Sequence, residues 1–230
     1  MTSALFQYLS KLLIDEEHII NCYLGPLFVH LAGAIFMMTC SWYYHNYQCQ
    51  CSERMKYLRK FDLSGICMMI CCSATPAIYY SYMCEESWFY GKLFLGQIYV
   101  CCFGALYVTM CQGVSKNEKY RKIIAAIAYL VAGYSCAPAL IYATFKLRPE
   151  VVHSFSLWPW SVGGILYAIG AILYALKFPE RYFPGIFDIW GNSHQLFHLY
   201  VLAAAFLHFY GSLRCIHERQ LYPCPESGQF

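Results

Sequence analysis

His194 and His198 stand four residues apart at the mouth of a long apolar run. On a helix, positions i and i+4 share a face, so both imidazoles can converge on one metal ion. Imidazole inside a membrane segment is rare without a use for it. A third histidine, His45, closes the first apolar run of the chain, and Asp62 opens the second. Three imidazoles that leave one position open are the ligand set of a hydrolytic zinc centre, unlike the closed four-ligand set of structural zinc. Zinc lowers the pKa of a bound water to about 7. A carboxylate within reach orients such a water, takes its proton and returns it to the leaving group. Asp62 is the candidate for that role. Ser41, four residues before His45 on the same helix face, can hydrogen-bond a ligand or a developing oxyanion.

Each of these residues also suits a plainer role. Asp62 precedes Leu63-Ser64-Gly65, where it could cap a helix N-terminus. Ser41 could bond the carbonyl four residues before it, and a single histidine at a helix end is commonly an interfacial side chain. Paired histidines also ligate haem. Of the others, His208 lies ten residues past His198, about 15 Å along a helix, too far for the same ion and suited to a polar contact. His30 is placed mid-span for a hydrogen bond between helices, whereas His18, His153 and His217 fit solvated positions.

The elements that must carry these residues follow from composition. Of 230 residues, 59% are hydrophobic and only 13% charged, with a mean hydropathy of +0.41. A soluble domain exposes more charge than that. A net charge of +3 offers no footprint for nucleic acid. Six apolar runs reach the roughly 20 residues of helix that a bilayer requires: 19–44, 61–83, 89–112, 123–145, 156–176 and 194–211. The expected fold is an all-α, multi-pass transmembrane helical bundle over 19–213, after a short N-terminal segment (1–18) and before a C-terminal tail (214–230). Met1 to Glu17 lacks the basic start of a cleavable signal and reads as a short amphipathic helix. Pro26, Pro76, Pro138 and Pro159 fall inside the runs, as membrane helices tolerate. Gly163-Gly164, Gly170 and Ala203-Ala204-Ala205 suit close helix packing.

Basic residues set the orientation. Arg54, Lys56, Arg59, Lys60, Lys116, Lys119, Arg121, Lys122, Lys177 and Arg181 lie at one end of the runs, against Lys92, Lys146, Arg148, Arg214 and Arg219 at the other. The positive-inside rule puts the first set in the cytoplasm and the C-terminus outside. His45, Asp62, His194 and His198 then share one depth near the inner leaflet. Most of the 14 cysteines fall within apolar runs, where free cysteine packs as a small hydrophobe. Cys49-Gln50-Cys51 is half of a zinc motif with no second half, or a juxtamembrane acylation site. Cys215 and Cys224 form a candidate disulfide in an oxidising compartment.

The block Pro179 to His198, with Ala203 to Gly211 after it, resembles the C-terminal signature of the progestin and adipoQ receptor family, related to haemolysin III, and within it the adiponectin receptor branch. Ser41-Trp42-Tyr43-Tyr44-His45 and Phe61-Asp62-Leu63-Ser64-Gly65-Ile66 resemble the family's serine–histidine and aspartate motifs. The resemblance covers Trp42 to Gly211. It implies a zinc ion on His45, His194 and His198, with Asp62 holding the attacking water and Ser41 supporting the site. It implies a seven-helix protein with a cytoplasmic N-terminus, linked to hydrolysis of ceramide into sphingosine and a free fatty acid. Membrane lipid and an extracellular hormone of the adiponectin type are the partners it suggests, with a second copy of the chain as another. The plasma membrane is the compartment expected, with endomembranes (ER or Golgi) as the alternative. A non-catalytic hormone or steroid receptor with purely structural zinc is the competing reading. Two departures stand out: the family's N-terminal region and first transmembrane helix are expected to be missing, and Ile186 occupies a position where relatives usually carry Lys.

Overall fold

Hydrocarbon offers backbone groups no hydrogen-bond partner, so a spanning segment must pair its own N–H and C=O groups, and a helix does so completely. A computed structural model describes residues 20–47, 49, 51–110, 118–146, 158–221 and 224. These form seven helices: α1 (Ile20–Tyr47), α2 (Ser52–Tyr82), α3 (Glu85–Met110), α4 (Glu118–Tyr134), α5 (Ala137–Lys146), α6 (Trp158–Leu176) and α7 (Ser193–Leu221). Six segments are long and apolar enough to cross a membrane, because α4 and α5 together make one span. The chain is therefore a multi-pass membrane protein. Large apolar side chains stand exposed on every span, among them Ile35, Met68, Val100, Ile141, Ile165 and Leu202. Such a surface is suited to lipid rather than water. The amphipathic helix expected before residue 18, His18, His153 and the loop lysines at 116 and 119 lie outside the described residues or side chains.

Several boundaries differ from expectation, each for a local reason. α2 begins at Ser52 rather than Phe61. Glu, Arg, Met, Lys and Leu in that stretch are strong helix formers, and Glu53 and Lys56 pair across one turn at 2.9 Å. The basic residues 54–60 thus ride on the first turns of a helix, and Asp62 lies well inside it. The capping alternative for Asp62 is set aside: the residue before α2 is Cys51, which makes no side-chain cap. At the other end of the chain, residues 214–221 continue α7 instead of beginning a tail. Arg214 and Glu218 pair at 3.0 Å on one face. Arg219, only 2% exposed, donates to the Tyr80 carbonyl. Of the four prolines, Pro26 and Pro76 are interior. Pro138 and Pro159 sit in the first turns of α5 and α6, where a missing N–H leaves nothing unpaired.

The buried core has two parts, one between α2, α3, α4 and α5 and one between α1, α2 and α7 with α6 against it. α1 packs along α2, α6 along α7, and α7 also touches α1 and α2. Gly163 and Gly170 let α6 approach α7 closely. A Cβ at Gly163 would lie 2.4 Å from His208 Nε2, and one at Gly170 2.9 Å from Tyr200 Cβ. His30 bonds the Ala205 carbonyl through Nε2 at 3.2 Å, the interhelical contact its position suggested. His208 meets Ser73 Oγ at 2.6 Å and the Trp160 carbonyl at 3.3 Å. His217 is exposed.

The candidate pair Cys215–Cys224 does not form. Cys215 is fully buried on α7, and Cys224 is bonded to Cys84, at the turn between α2 and α3, with Cα atoms 5.4 Å apart. This bond ties the end of α2 to the chain beyond α7.

Two measurements check this packing. Gly163→Ala should lower thermal stability in detergent by about 1–3 kcal/mol through overpacking against His208. Gly164→Ala, which meets open space, should be near neutral. Peptide mapping under non-reducing conditions should recover a Cys84–Cys224 cross-link and find Cys215 as free thiol.

Candidate metal centre

Both candidate histidines on α7 lie in its first two turns, so the way this helix starts decides where they point. α6 ends with Lys177 in the left-handed region (φ 53°), and Phe178 N–H reaches back to the Leu173 carbonyl at 3.1 Å. This is a Schellman-type stop. The chain turns through Gly185 and Gly191, both at positive φ (85° and 77°). Asn192 then caps α7, its Oδ1 accepting from Gln195 N–H at 3.0 Å. Gln195 returns the contact, its Oε1 accepting from Gly191 N–H at 2.7 Å and its amide donating to the Ile189 carbonyl at 2.9 Å. The arrangement is close to a capping box. Glu180 completes it, accepting from both the Ser193 N–H and the Ser193 hydroxyl. Burial pushes the Glu180 carboxyl up, but those Ser193 bonds, together with its own backbone N–H and nearby Lys177, hold it below the usual carboxylate range.

With α7 so fixed, His194 and His198 face His45 from the end of α1. His194 Nε2 lies 3.1 Å from His45 Nε2 and 3.3 Å from His198 Nε2, and the ligand nitrogens all fall within 4.8 Å of one another. The His194 and His198 rings are nearly perpendicular, at 84°. Tetrahedral zinc with nitrogens at 2.0–2.1 Å would set them about 3.3 Å apart, so the three residues fit such an ion. They converge on one point rather than across a plane, which disfavours the haem alternative.

Asp62 on α2 is half-buried, and its carboxyl faces Ser41, His45 and Arg59. The Ser41 hydroxyl is buried and lies against the Asp62 carboxyl instead of bonding the Met37 carbonyl one turn before it. As a hydroxyl it can donate to that carboxylate. All five sequence candidates are thus gathered at one end of the bundle, between α1, α2 and α7. Three contributors had not been singled out. Tyr174 on α6 lays its ring against His194 at 5.3 Å, Tyr44 stands edge-on to His45 at 5.0 Å, and Glu180 braces the helix start. Glu180 lay within the signature block, but only the fold shows what it holds. Tyr174 has no local spacing signal at all.

A family model described as haemolysin-III related matches residues 4–209. The chain belongs to the haemolysin-III-related family. It is 34% identical over 201 residues to heptahelical transmembrane protein 4 of Arabidopsis thaliana, covering 86% of this chain and 51% of that protein. It is also 34% identical over 199 residues to the adiponectin receptor protein of Drosophila melanogaster, covering 86% and 43%. The progestin and adipoQ receptor-like protein 1 of Caenorhabditis elegans matches at 34% over 199 residues, covering 84% and 44%. These names bear out the resemblance carried by the 179–198 block. This haemolysin-III-related chain spans about half the length of the curated relatives it matches.

The brace on α7 has a pH signature. Because the folded-state pKa of Glu180 is lowered, its contribution is present above the unfolded carboxylate pKa and is lost as pH falls through the lower folded value. Glu180→Ala should therefore cost on the order of 0.5–1 kcal/mol near neutrality, because solvent screens a carboxyl this accessible. In thermal melts the gap from wild type should close below the ordinary carboxylate range.

Proposed function

We propose that this chain is a zinc-dependent intramembrane hydrolase of the adiponectin-receptor type, acting on a lipid amide of the ceramide class. The observation that supports it is the convergence of three imidazole nitrogens within 4.8 Å beside a carboxylate that a buried hydroxyl contacts. His45, His194 and His198 would hold the ion. Zinc, when bound, supplies a Lewis acid that makes water a nucleophile near neutral pH. Asp62 accepts a proton from the attacking water and delivers it to the departing amide nitrogen. Water adds its oxygen to the carbonyl carbon, the C–N bond breaks, and a free fatty acid and a sphingoid amine leave. Ser41 donates to the oxygen on which negative charge develops. Tyr174 and Phe197, packed on His194, keep its ring turned toward His45 and His198. A substrate whose chains lie in the bilayer reaches this depth without leaving lipid.

The membrane expected is the plasma membrane, with the Cys84–Cys224 end facing an oxidising space and a hormone of the adiponectin type as ligand there. A second reading is favoured by the names of the relatives. In a non-catalytic receptor, zinc would join α1 to α7 as a structural clasp.

Elemental analysis and turnover of a short-chain fluorescent ceramide separate the two. The proposal expects one zinc per chain, lost in His194→Ala. Asp62→Asn should keep the metal and lose turnover by about 10²–10⁴-fold. Equal turnover in Asp62→Asn would remove the enzymatic reading. Zinc bound with no turnover in wild type would favour the clasp.

A further inference from the structure

A second group of metal-binding side chains lies away from the histidines. Cys67 and Cys71 stand one turn apart on α2, and Cys102 faces them from α3. Their sulfurs all fall within 4.8 Å of one another. Cys67 and Cys102 are buried and Cys71 is half-buried. Around them pack Ile66, Ile70, Ile98, Ala105 and Tyr129. The three thiols contact one another, and the Cys67 thiol also donates a weak hydrogen bond to the Cys102 carbonyl at 3.3 Å. Burial as a small hydrophobe accounts for one cysteine at a time. It gives no reason for three sulfurs from two helices to point at a common centre.

We propose that Cys67, Cys71 and Cys102 form a three-sulfur site for a soft monovalent cation, copper(I), between α2 and α3. The donor set selects the metal. Among the described residues the group stops at three ligands, with no fourth His, Cys, Asp or Glu, whereas zinc favours four in a tetrahedron. All-sulfur donors favour copper(I) over the harder divalent ions. The apolar surroundings penalise a net ionic complex, which sets how many of the thiols must ionise. A Cu⁺ ion bound to one thiolate and two thiols is neutral. Binding therefore breaks one S–H bond, forms copper–sulfur bonds and releases a single proton to solvent, with no change in oxidation state. Cys67 follows Asp62 by five residues, about 7.5 Å along α2, and faces α3 instead of α1. Occupancy would fasten α3 to the helix that carries Asp62, without sharing a ligand with the histidine cluster.

The test is an anaerobic titration of the purified 230-residue chain with copper(I), held reduced by ascorbate and competed by bathocuproine disulfonate. Ascorbate leaves the Cys84–Cys224 bond intact. Cys49→Ser and Cys51→Ser are introduced first, because those exposed thiols would bind copper themselves. The expected result is one copper(I) per chain with three sulfur neighbours by X-ray absorption, and a rise in thermal midpoint on loading. Cys102→Ala and Cys71→Ala should each weaken binding by about 100-fold or more, above the usual effect of losing an outer-shell partner. Cys71 is half-buried, so its variant guards against simple misfolding. His194→Ala should bind copper(I) as the parent does while losing zinc, which keeps this result independent of the histidine site. No copper retained by protein with a normal melting transition would overturn the proposal. So would retention that neither cysteine variant changes.

Discussion

α7 is pinned at both ends, and most of the bundle's organisation depends on that. At one end Asn192, Gln195 and Glu180 fix the first turn through four side-chain contacts to backbone or hydroxyl groups. At the other, Arg219 donates into the carbonyl end of α2 at Tyr80, and Cys84–Cys224 closes the same corner covalently. A buried guanidinium is costly without partners, so this arginine holds the C-terminal end of α7 to the carbonyl end of α2. With both ends held, rotation of α7 about its axis is restrained, and His194 and His198 keep facing α1. The aromatic contacts from Tyr174 and the close approach at Gly163 and Gly170 complete that restraint from α6.

Much of this was legible in the sequence, for reasons that differ by residue. Apolar runs announce spans because lipid forces helices on them, so the six crossings were readable from composition. The i, i+4 spacing of His194 and His198 is a statement about one helix and needs no fold. His45 and Asp62 were reached by a depth argument, since the ends of consecutive spans alternate between faces. What escaped was whatever depends on one helix meeting another at a given rotation. Cys84 as the partner of Cys224 could not be read, because 140 residues separate them and Cys215 was nearer. The early start of α2 was hidden because polar residues outside the hydrocarbon carry helix propensity but no hydropathy. The three sulfurs at Cys67, Cys71 and Cys102 looked like ordinary apolar filler until α2 and α3 were set side by side.

The two candidate metal sites differ in what they ask of the bundle. The histidine cluster draws on helices remote in sequence and closes only if the first and last described spans meet. The cysteine cluster draws on two neighbours joined by a short turn, and forms as soon as that hairpin does. One is thus tied to the completed fold and the other to a local step.

The length of α7 carries a mechanical consequence. Its 29 residues extend about 44 Å, whereas the hydrocarbon layer is about 30 Å thick. The surplus continues as helix with no proline along it, and Cys215, Ile216 and Arg219 on it are buried against the bundle. Arg219 and the Cys84–Cys224 bond fasten that end to the corner of α2 and α3. A displacement of that corner therefore meets no proline hinge in the rod that carries the imidazoles at its opposite end.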